Sequence, residues 1–292
     1  MKNIGVIGCG IMGGGIAQVA AQNNYNVTVL EIEEGYLSSG IKRIEHFLDK
    51  SVEKEKIAPG KRDSTLKRIK GTLDINDLKE CDLVIEAAVE DISVKQNLFR
   101  KIDTICNPNT IFASNTSSLT VIEIASVTTR QEKFLGLHFF NPVPLMPLVE
   151  VVRTIKTSDE SYQNALKFIE NIKKLPISAK DSPGFIVNLL LIPYLLDAVR
   201  ILGEGIATIE DIDNGMKYGC GYPMGPLALL DLIGIDVIYK ITHIMYKEYK
   251  EKKYAAPPLL KQMVLAGYHG KKTGKGFYDY SQKEPVPMNS LV

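Results

Sequence analysis

A glycine-rich string near the start of the chain has the spacing of a dinucleotide-binding loop. Gly8, Gly10 and Gly13 fit the pattern G-x-G-x-x-G, directly after an apolar run at 4–7 and before a helical pattern. These glycines permit a tight turn and a close approach of pyrophosphate, and the following helix N-terminus directs free N–H groups at the phosphates. An ordinary strand–turn–helix is the alternative, but the position between strand and helix favours a dinucleotide site.

An acid follows the second apolar run, where dinucleotide sites hold the adenosine ribose. Glu31 lies 23 residues after Gly8, and Glu33 and Glu34 come just behind it. A carboxylate there accepts hydrogen bonds from the ribose hydroxyls and repels a 2′-phosphate. The nearest basic residue along the chain is Lys42. The sequence therefore predicts NAD rather than NADP, with a solvated acid at a strand end as the alternative.

A histidine and a glutamate are spaced to form a proton-transfer pair. His138 ends the apolar run 134–138, and Glu150 lies 12 residues later within the apolar run 148–152. Alone, His138 is more often a packed residue than a catalyst, and Glu150 is an unusual acid inside a strand. A strand–loop–strand of this length brings them together, and a neighbouring carboxylate orients an imidazole that acts as general base.

Hydroxyl and amide side chains follow another strand candidate, 111–113. The cluster 114–118 includes Asn115 and Ser117. Carboxyl ends of parallel strands line the ligand crevice of a doubly wound sheet, so this cluster is expected to hold a polar substrate. A helix N-cap is the alternative for its serines.

The elements that position these residues alternate between strands and helices up to about residue 183. Strands are predicted at 4–7, 27–30, 83–88, 111–113, 134–138, 148–152 and 177–179, and helices at 41–56 and 94–105. Short apolar runs separated by amphipathic helices indicate a mostly parallel sheet of βαβ units. We predict an α/β fold: a Rossmann-type NAD-binding domain over 1–183, then an all-α domain over 184–292. In the latter, helices are expected at 185–199, 209–216, 227–239 and 259–266, with Pro193 kinking or interrupting the first.

Composition narrows the class of protein. The 292 residues carry 35 Lys and Arg against 34 Asp and Glu, so no broad field favours nucleic acid or an anionic membrane. The four cysteines form no C-x-x-C pair or metal-ligand spacing, so free thiols in a reducing compartment are expected, with no metal. Met1 leads directly into a strand-like run without an apolar leader. A cytoplasmic enzyme or binding protein is expected.

Longer strings of the chain include VIGCGIMGGGIAQVAA, GLHFFNPVPLMPLVEVV, DSPGFIVNLLLIPYLLDAV and GKKTGKGFYDY. Over residues 2–280 the sequence resembles one family, the L-3-hydroxyacyl-CoA dehydrogenases, and especially the short-chain 3-hydroxybutyryl-CoA dehydrogenases of bacteria. The resemblance implies a homodimer joined through the second domain, an acyl-CoA substrate, and NAD held by the glycine loop and Glu31. Glu90 and Asn115 would lie near the nicotinamide.

The resemblance also implies catalytic roles. His138 would exchange the proton of the substrate's 3-hydroxyl, and Glu150 would orient it. Ser117 and Asn188 would hydrogen-bond the substrate near the reacting oxygen and the thioester, and Asn141 would support the site. Lys50 and Lys54, four apart on the helix predicted at 41–56, are candidates to contact CoA, with a solvated helix face as the alternative.

The chain departs from the family pattern at two positions. Leu189 follows Asn188 where the family usually has arginine, and Pro147 replaces a lysine of the M-K-LVEV stretch. Neither change removes a catalytic group, although both remove a positive charge. Two other functions remain open: an NAD-linked dehydrogenase of free hydroxy acids, and a silent NAD-binding protein of the same fold. The His138–Glu150 pair and the absence of an arginine beside the motifs disfavour the first, and the intact polar set disfavours the second.

Overall fold

The structure is a computed structural model that describes residues 1–288 and 291. The chain forms two compact units, Met1–Phe185 and Ile186–Val292. Within the described residues, no helix is long and apolar enough to cross a membrane.

The first unit is built on an eight-stranded sheet, counted over the described residues, with the order β3-β2-β1-β4-β5-β6-β7-β8. Its strands are β1 (Asn3–Ile7), β2 (Asn26–Leu30), β3 (Ile69–Thr72), β4 (Leu83–Glu86), β5 (Ile111–Ser114), β6 (Phe134–Phe139), β7 (Leu148–Arg153) and β8 (Leu175–Lys180). All neighbouring strands are parallel except β6 and β7. The predicted fold class is therefore confirmed.

Both faces of this sheet are covered by helices, which explains why its strands are continuous apolar runs. The helices are α1 (Ile11–Gln22), α2 (Glu34–Glu53), α3 (Pro59–Leu66), α4 (Ile92–Ile105), α5 (Val121–Ala125) and α6 (Asp159–Asn171). Because side chains alternate along a strand, Leu83 and Ile85 belong to one buried apolar cluster, while Val84 between them belongs to another.

The second unit is mainly helical. It contains α7 (Val187–Gly203), α8 (Ile209–Asn214), α9 (Pro226–Ile233), α10 (Ile235–Tyr249) and α11 (Pro258–Leu265), with a small ribbon of β9 (Tyr278–Asp279) and β10 (Val286–Pro287). Its core is a separate apolar cluster that includes Leu195, Leu230 and Ile238.

Three helix predictions need correction. Pro193 lies inside α7, which runs without a break from Val187 to Gly203, so the predicted interruption is wrong. The predicted alternative of a kink at Pro193 stays a prediction. The single helix predicted at 227–239 is two helices, since Gly234 has φ +109° and separates α9 from α10. The helix predicted at 41–56 ends at Glu53, where Glu55 adopts the left-handed conformation with φ +55°.

Candidate active site

The glycine loop has the backbone geometry that the spacing predicts. Gly8 has φ +94°, and a Cβ on Gly13 would lie 1.9 Å from the Gly8 carbonyl oxygen. Both positions therefore require glycine. Gly10 is the N-cap of α1 and has no side-chain cap, and a Cβ there would meet nothing within 4 Å. The space beside Gly10 at the N-terminus of α1 is thus open, which suits a bound pyrophosphate.

Glu31 is held at the glycine loop by hydrogen bonds. Its carboxylate accepts from the Cys9 N–H at 3.0 Å and from the Ile32 N–H at 3.2 Å. This places the acid at the carboxyl end of β2, where it fits a ribose diol. A cation also contacts this loop: Arg43 Nη1 donates to the Cys9 carbonyl at 3.3 Å.

The geometry at the His138–Glu150 pair follows from strand register. The two residues lie directly opposite each other in the antiparallel pair β6–β7, so their side chains share a face. His138 Nδ1 is 2.6 Å from Glu150 Oε2. The His138 side chain is 8% exposed and that of Glu150 is fully buried. A buried carboxylate fixes the Nδ1–H tautomer and leaves Nε2 as the ring nitrogen for proton exchange.

Two aromatic rings hold the imidazole in place. The Phe140 ring centroid lies 4.5 Å from that of His138, and the Phe185 centroid lies 5.7 Å away. Phe185 is 2% exposed, so this side of the imidazole is shielded from water. A low-dielectric surrounding strengthens the interaction between the imidazole and Glu150.

The polar cluster after β5 is organised by a carboxylate. Glu90 Oε1 accepts from the Thr116 hydroxyl at 2.6 Å, the Ser117 N–H at 3.0 Å and the Ser118 hydroxyl at 3.1 Å. Burial opposes ionisation of Glu90, but Lys95 and these donors outweigh it and lower its pKa. Asn115 makes a different contact: its Oδ1 accepts from the Phe139 N–H at 2.9 Å and ties β5 to the end of β6.

Beneath this cluster is a buried ion pair that the sequence analysis missed. Lys95 Nζ lies 2.7 Å from Glu86 Oε1 and 3.3 Å from Glu90 Oε2. Glu86 is fully buried, and Ser114 donates to its other oxygen at 2.6 Å. The sequence does contain a pattern that indicates this pair. Glu86 is an acid at the end of an apolar strand, just as Glu150 is an acid inside one, and such an acid needs a polar partner. Lys95 shares the buried face of α4 with Phe99 and Ile102.

The loop between β6 and β7 carries Asn141, which precedes a cis peptide bond to Pro142. Lys174 reaches this loop from outside it: its Nζ donates to the Val143 carbonyl at 2.6 Å and to the Met146 carbonyl at 2.7 Å. Desolvation lowers the pKa of Lys174. Sequence reasoning did not identify this contact.

Three further candidates lie on helices α7 and α2 or at the end of α2. Asn188 is the second residue of α7, in the second unit, and is 7% exposed. Lys50 is an exposed residue in the last turn of α2. Lys54 is the C-cap of α2, one residue beyond its last residue Glu53, and its N–H donates to the Lys50 carbonyl at 3.2 Å. Contact of either lysine with CoA stays a prediction.

Taken together, the first unit is a dinucleotide-binding domain with an oriented imidazole at the carboxyl edge of its sheet. Residues 3–182 match the family described as 3-hydroxyacyl-CoA dehydrogenase, NAD binding domain, and residues 184–280 match the 3-hydroxyacyl-CoA dehydrogenase C-terminal domain. The chain therefore belongs to the 3-hydroxyacyl-CoA dehydrogenase family and is an NAD-dependent oxidoreductase.

Individual relatives cover almost the whole chain. A 3-hydroxybutyryl-CoA dehydrogenase of Mycobacterium tuberculosis is 44% identical over 96% of this chain and 99% of its own length. The mitochondrial hydroxyacyl-coenzyme A dehydrogenase of Homo sapiens is 45% identical over 96% of this chain and 91% of its own. The crystal structure of an (S)-3-hydroxybutyryl-CoA dehydrogenase from Ralstonia eutropha superposes with a TM-score of 0.92 at 43% identity, covering 97% of this chain and all of that one.

Proposed function

We propose that the protein interconverts (S)-3-hydroxyacyl-CoA and 3-oxoacyl-CoA, with the 3-hydroxybutyryl-CoA and acetoacetyl-CoA pair as its preferred substrates. The observation that carries the proposal is the 2.6 Å contact between His138 Nδ1 and the buried Glu150 carboxylate. The names of the bacterial relatives support the four-carbon substrate.

The catalytic step is a proton transfer at His138 coupled to hydride transfer. In oxidation, Nε2 takes the proton of the 3-hydroxyl while the C3–H bond breaks and the C3–O bond becomes a carbonyl. Bound NAD supplies the acceptor for the hydride that leaves C3. Glu150 stabilises the imidazolium that forms, and in reduction the same Nε2–H returns its proton to the developing alkoxide.

The other polar residues position the two ligands. The glycine loop and Glu31 hold the pyrophosphate and ribose of NAD, and Glu90 and Asn115 border its nicotinamide half. Ser117, Asn141 and Asn188 hold the substrate through its reacting oxygen and thioester. Hydrogen bonds of this kind stabilise charge on the reacting oxygen because they are fixed before the reaction begins. Lys50 and Lys54 are proposed to contact the anionic end of CoA.

The second unit is proposed to close over the substrate and to join two copies as a homodimer. It exposes several large apolar side chains, including Leu190 at 74%, Leu265 at 77% and Leu232 at 53%. Contiguous apolar surface is typical of interfaces, so these side chains are the candidates for the dimer contact. Sedimentation equilibrium of the purified protein should give twice the chain mass of 32.4 kDa, and a monomer at micromolar concentration would contradict the dimer.

The function is tested by following NADH absorbance with acetoacetyl-CoA, and with free acetoacetate in parallel. Rapid oxidation of NADH with the thioester alone supports the proposal. Turnover of the free acid instead would favour a hydroxy-acid dehydrogenase, and NADH binding without turnover would favour a silent protein. The variant His138→Ala should lower kcat by roughly 10²- to 10⁴-fold, the contribution typical of a general acid–base group. Wild-type turnover in this variant would show that His138 is not the base.

A further inference from the structure

The second unit contains a pocket to which the proposed function assigns no role. Its volume is about 400 Å³, and its walls come from α8, α9, the connection between them and the segment that follows α11. The side chains that matter for its chemistry include Lys217, Met224, Leu232, Lys271, Tyr278 and Tyr280. Because ligand pockets in proteins usually measure about 300–1,000 Å³, this one has room for a compact small molecule.

One wall of the pocket lies outside the part of the chain that matches the family. The match to the C-terminal domain ends at residue 280, and Pro285, which lines the pocket, comes after it. Strand β10 follows Pro285 and pairs antiparallel with β9, and the Met288 N–H donates to the Phe277 carbonyl at 2.9 Å. These contacts hold Pro285 in place, so the pocket includes a wall that the family match does not describe.

A buried carboxylate, Asp213, fixes another side of the pocket. Its oxygens accept from the Leu227 and Ala228 N–H groups at 2.8 and 2.9 Å and from the Tyr278 hydroxyl at 2.8 Å. A Cβ on Gly225 would lie 2.2 Å from Asp213 Cβ, so only glycine fits there. A pocket with such walls is formed before a ligand arrives, which reduces the ordering that binding requires.

Two tyrosine rings give the pocket an aromatic wall that stays neutral. Tyr278 and Tyr280 both line it, and their ring centroids lie 6.5 Å apart. The Tyr280 hydroxyl donates to Asp231 at 3.0 Å, as that of Tyr278 does to Asp213. Burial and these carboxylates raise the pKa of both phenols above the ordinary value, so neither ring is charged at neutral pH. Together with Leu232, the rings suit a flat, apolar part of a ligand.

Two ammonium groups border the same pocket. Lys217 and Lys271 line it, and Lys271 is exposed. Among residues 1–288 and 291, neither lysine forms an ion pair, whereas the ammonium of Lys272 lies 2.5 Å from an Asp236 oxygen. The Asp213 side, by contrast, is 4% exposed and already accepts three hydrogen bonds. The charged groups that a ligand is able to reach are therefore positive, which favours an anion.

We propose that this pocket binds a small aromatic anion, with its ring against the tyrosine wall and its negative group paired with Lys217 and Lys271. The inference is independent of the proposed function. The residues assigned to NAD, to the substrate and to proton transfer all lie among the described residues, and none of them lines the pocket. The site therefore binds its ligand whether or not the protein turns over an acyl-CoA.

The probe is 2-naphthoate, titrated calorimetrically into the full-length protein. Two related molecules separate its features: 2-naphthamide has the same ring without the charge, and acetate has the charge without the ring. One 2-naphthoate should bind per chain, with an affinity roughly 10-fold or more above that of either relative, because each of them lacks one of the two interactions. Absence of binding, or equal affinity for 2-naphthamide, would overturn the inference.

Matched variants locate the bound probe, and urea unfolding checks that each is folded. Lys271→Gln should weaken binding of 2-naphthoate roughly 3- to 10-fold, less than for a buried charge because this ammonium is exposed. The control Lys275→Gln, at an exposed position of the same segment, should not. Pro285→Glu places a carboxylate in the wall and should also weaken binding, whereas Gln282→Glu makes the same change of charge at an exposed position outside the lining and should not.

Competition with NADH and with free CoA separates the pocket from the active site. The affinity for 2-naphthoate should be the same when either is present at saturating concentration. Displacement by NADH or CoA would place the probe in the active site and would overturn the inference. Equal weakening by Lys271→Gln and Lys275→Gln would show a general effect of charge and would overturn it as well. A protein inactive on acetoacetyl-CoA would refute only the proposed function, since these titrations do not depend on turnover.

Discussion

The variant Glu150→Gln removes the negative charge of the Glu150 carboxylate and keeps the shape of the side chain nearly unchanged. Glutamine has nearly the same volume, and its carbonyl oxygen is able to accept from His138 Nδ1 in place of the carboxylate. What the variant removes is a negative charge 2.6 Å from the imidazole, in a site where His138 is 6% exposed and Glu150 is fully buried. Because the charge favours the imidazolium, its loss should raise the barrier to taking a proton from the substrate.

The size of the effect follows from the kind of hydrogen bond that is lost. A hydrogen bond to a charged group contributes about 1.5–3 kcal/mol, compared with about 1 kcal/mol for a neutral one. Since the glutamine keeps a neutral hydrogen bond, the net loss is about 0.5–2 kcal/mol. If the charged interaction forms only as the imidazolium forms, kcat should fall roughly 2- to 30-fold, because about 1.4 kcal/mol corresponds to a factor of ten. This loss is smaller than that expected for His138→Ala, because the variant retains the base.

A double-mutant cycle tests whether Glu150 acts through His138. The kcat for acetoacetyl-CoA is measured for the wild type, for Glu150→Gln, for His138→Ala and for the double variant, with the NADH dissociation constant measured by fluorescence as a check on the site. If the carboxylate acts only through the imidazole, Glu150→Gln should have little further effect once His138 is removed. An equal fold-loss in both backgrounds would refute the reasoning and assign Glu150 a separate role.

Three further predictions concern stability and cofactor binding. Lys95→Met leaves a buried carboxylate without its cation and should lower the free energy of unfolding, measured by urea titration, by about 3–5 kcal/mol. The control Lys101→Met, at an exposed position of the same helix, should leave it unchanged. Gly13→Ala forces a Cβ onto a carbonyl oxygen at 1.9 Å and should weaken NADH binding measured by fluorescence, whereas Gly60→Ala, which meets nothing within 4 Å, should not. Burial raises the pKa of Asp231 to about 6, so its contribution to stability is present in acid and is lost as pH rises through that value. Asp231→Asn should therefore reduce the fall in unfolding free energy between about pH 5 and pH 7 by on the order of 1 kcal/mol; equal pH dependence in both proteins would contradict this.

The sequence predicted those elements whose pattern of apolar residues is consistent with only one kind of secondary structure. Strands β1, β4 and β5 are covered on both faces, so each is a short apolar run bounded by polar residues. The pairing of His138 with Glu150 was predictable for a related reason. An acid inside such a run needs a polar partner, and a connection of eight residues between two strands leaves few candidates.

Other elements have no such pattern in the sequence, or have a pattern from which no prediction was made. Strand β3 has the sequence IKGT and is exposed at its centre, because it lies at the edge of the sheet. Helix α6 was not predicted, although Ser158 caps it and two acids occupy its first turn. The role of Lys95 could not be read from spacing, because a lysine on the apolar side of a helix usually extends its ammonium to water. Only the arrangement of β4 against α4 brings it to Glu86.

The effect of Pro147, where the chain departs from the family pattern, follows from the contacts of the loop that precedes it. The family pattern has a lysine at this position, and proline removes that cation and one N–H donor. Lys174 nevertheless brings an ammonium to the same loop, where carbonyls on both sides of its turn, at Val143 and Met146, accept from it. Pro147 itself is exposed, and its carbonyl accepts from the Leu175 N–H at 2.8 Å. The loop that carries Asn141 is therefore fixed by a charge from the β8 side of the sheet, and the substitution leaves the loop both stiffer and still next to a cation.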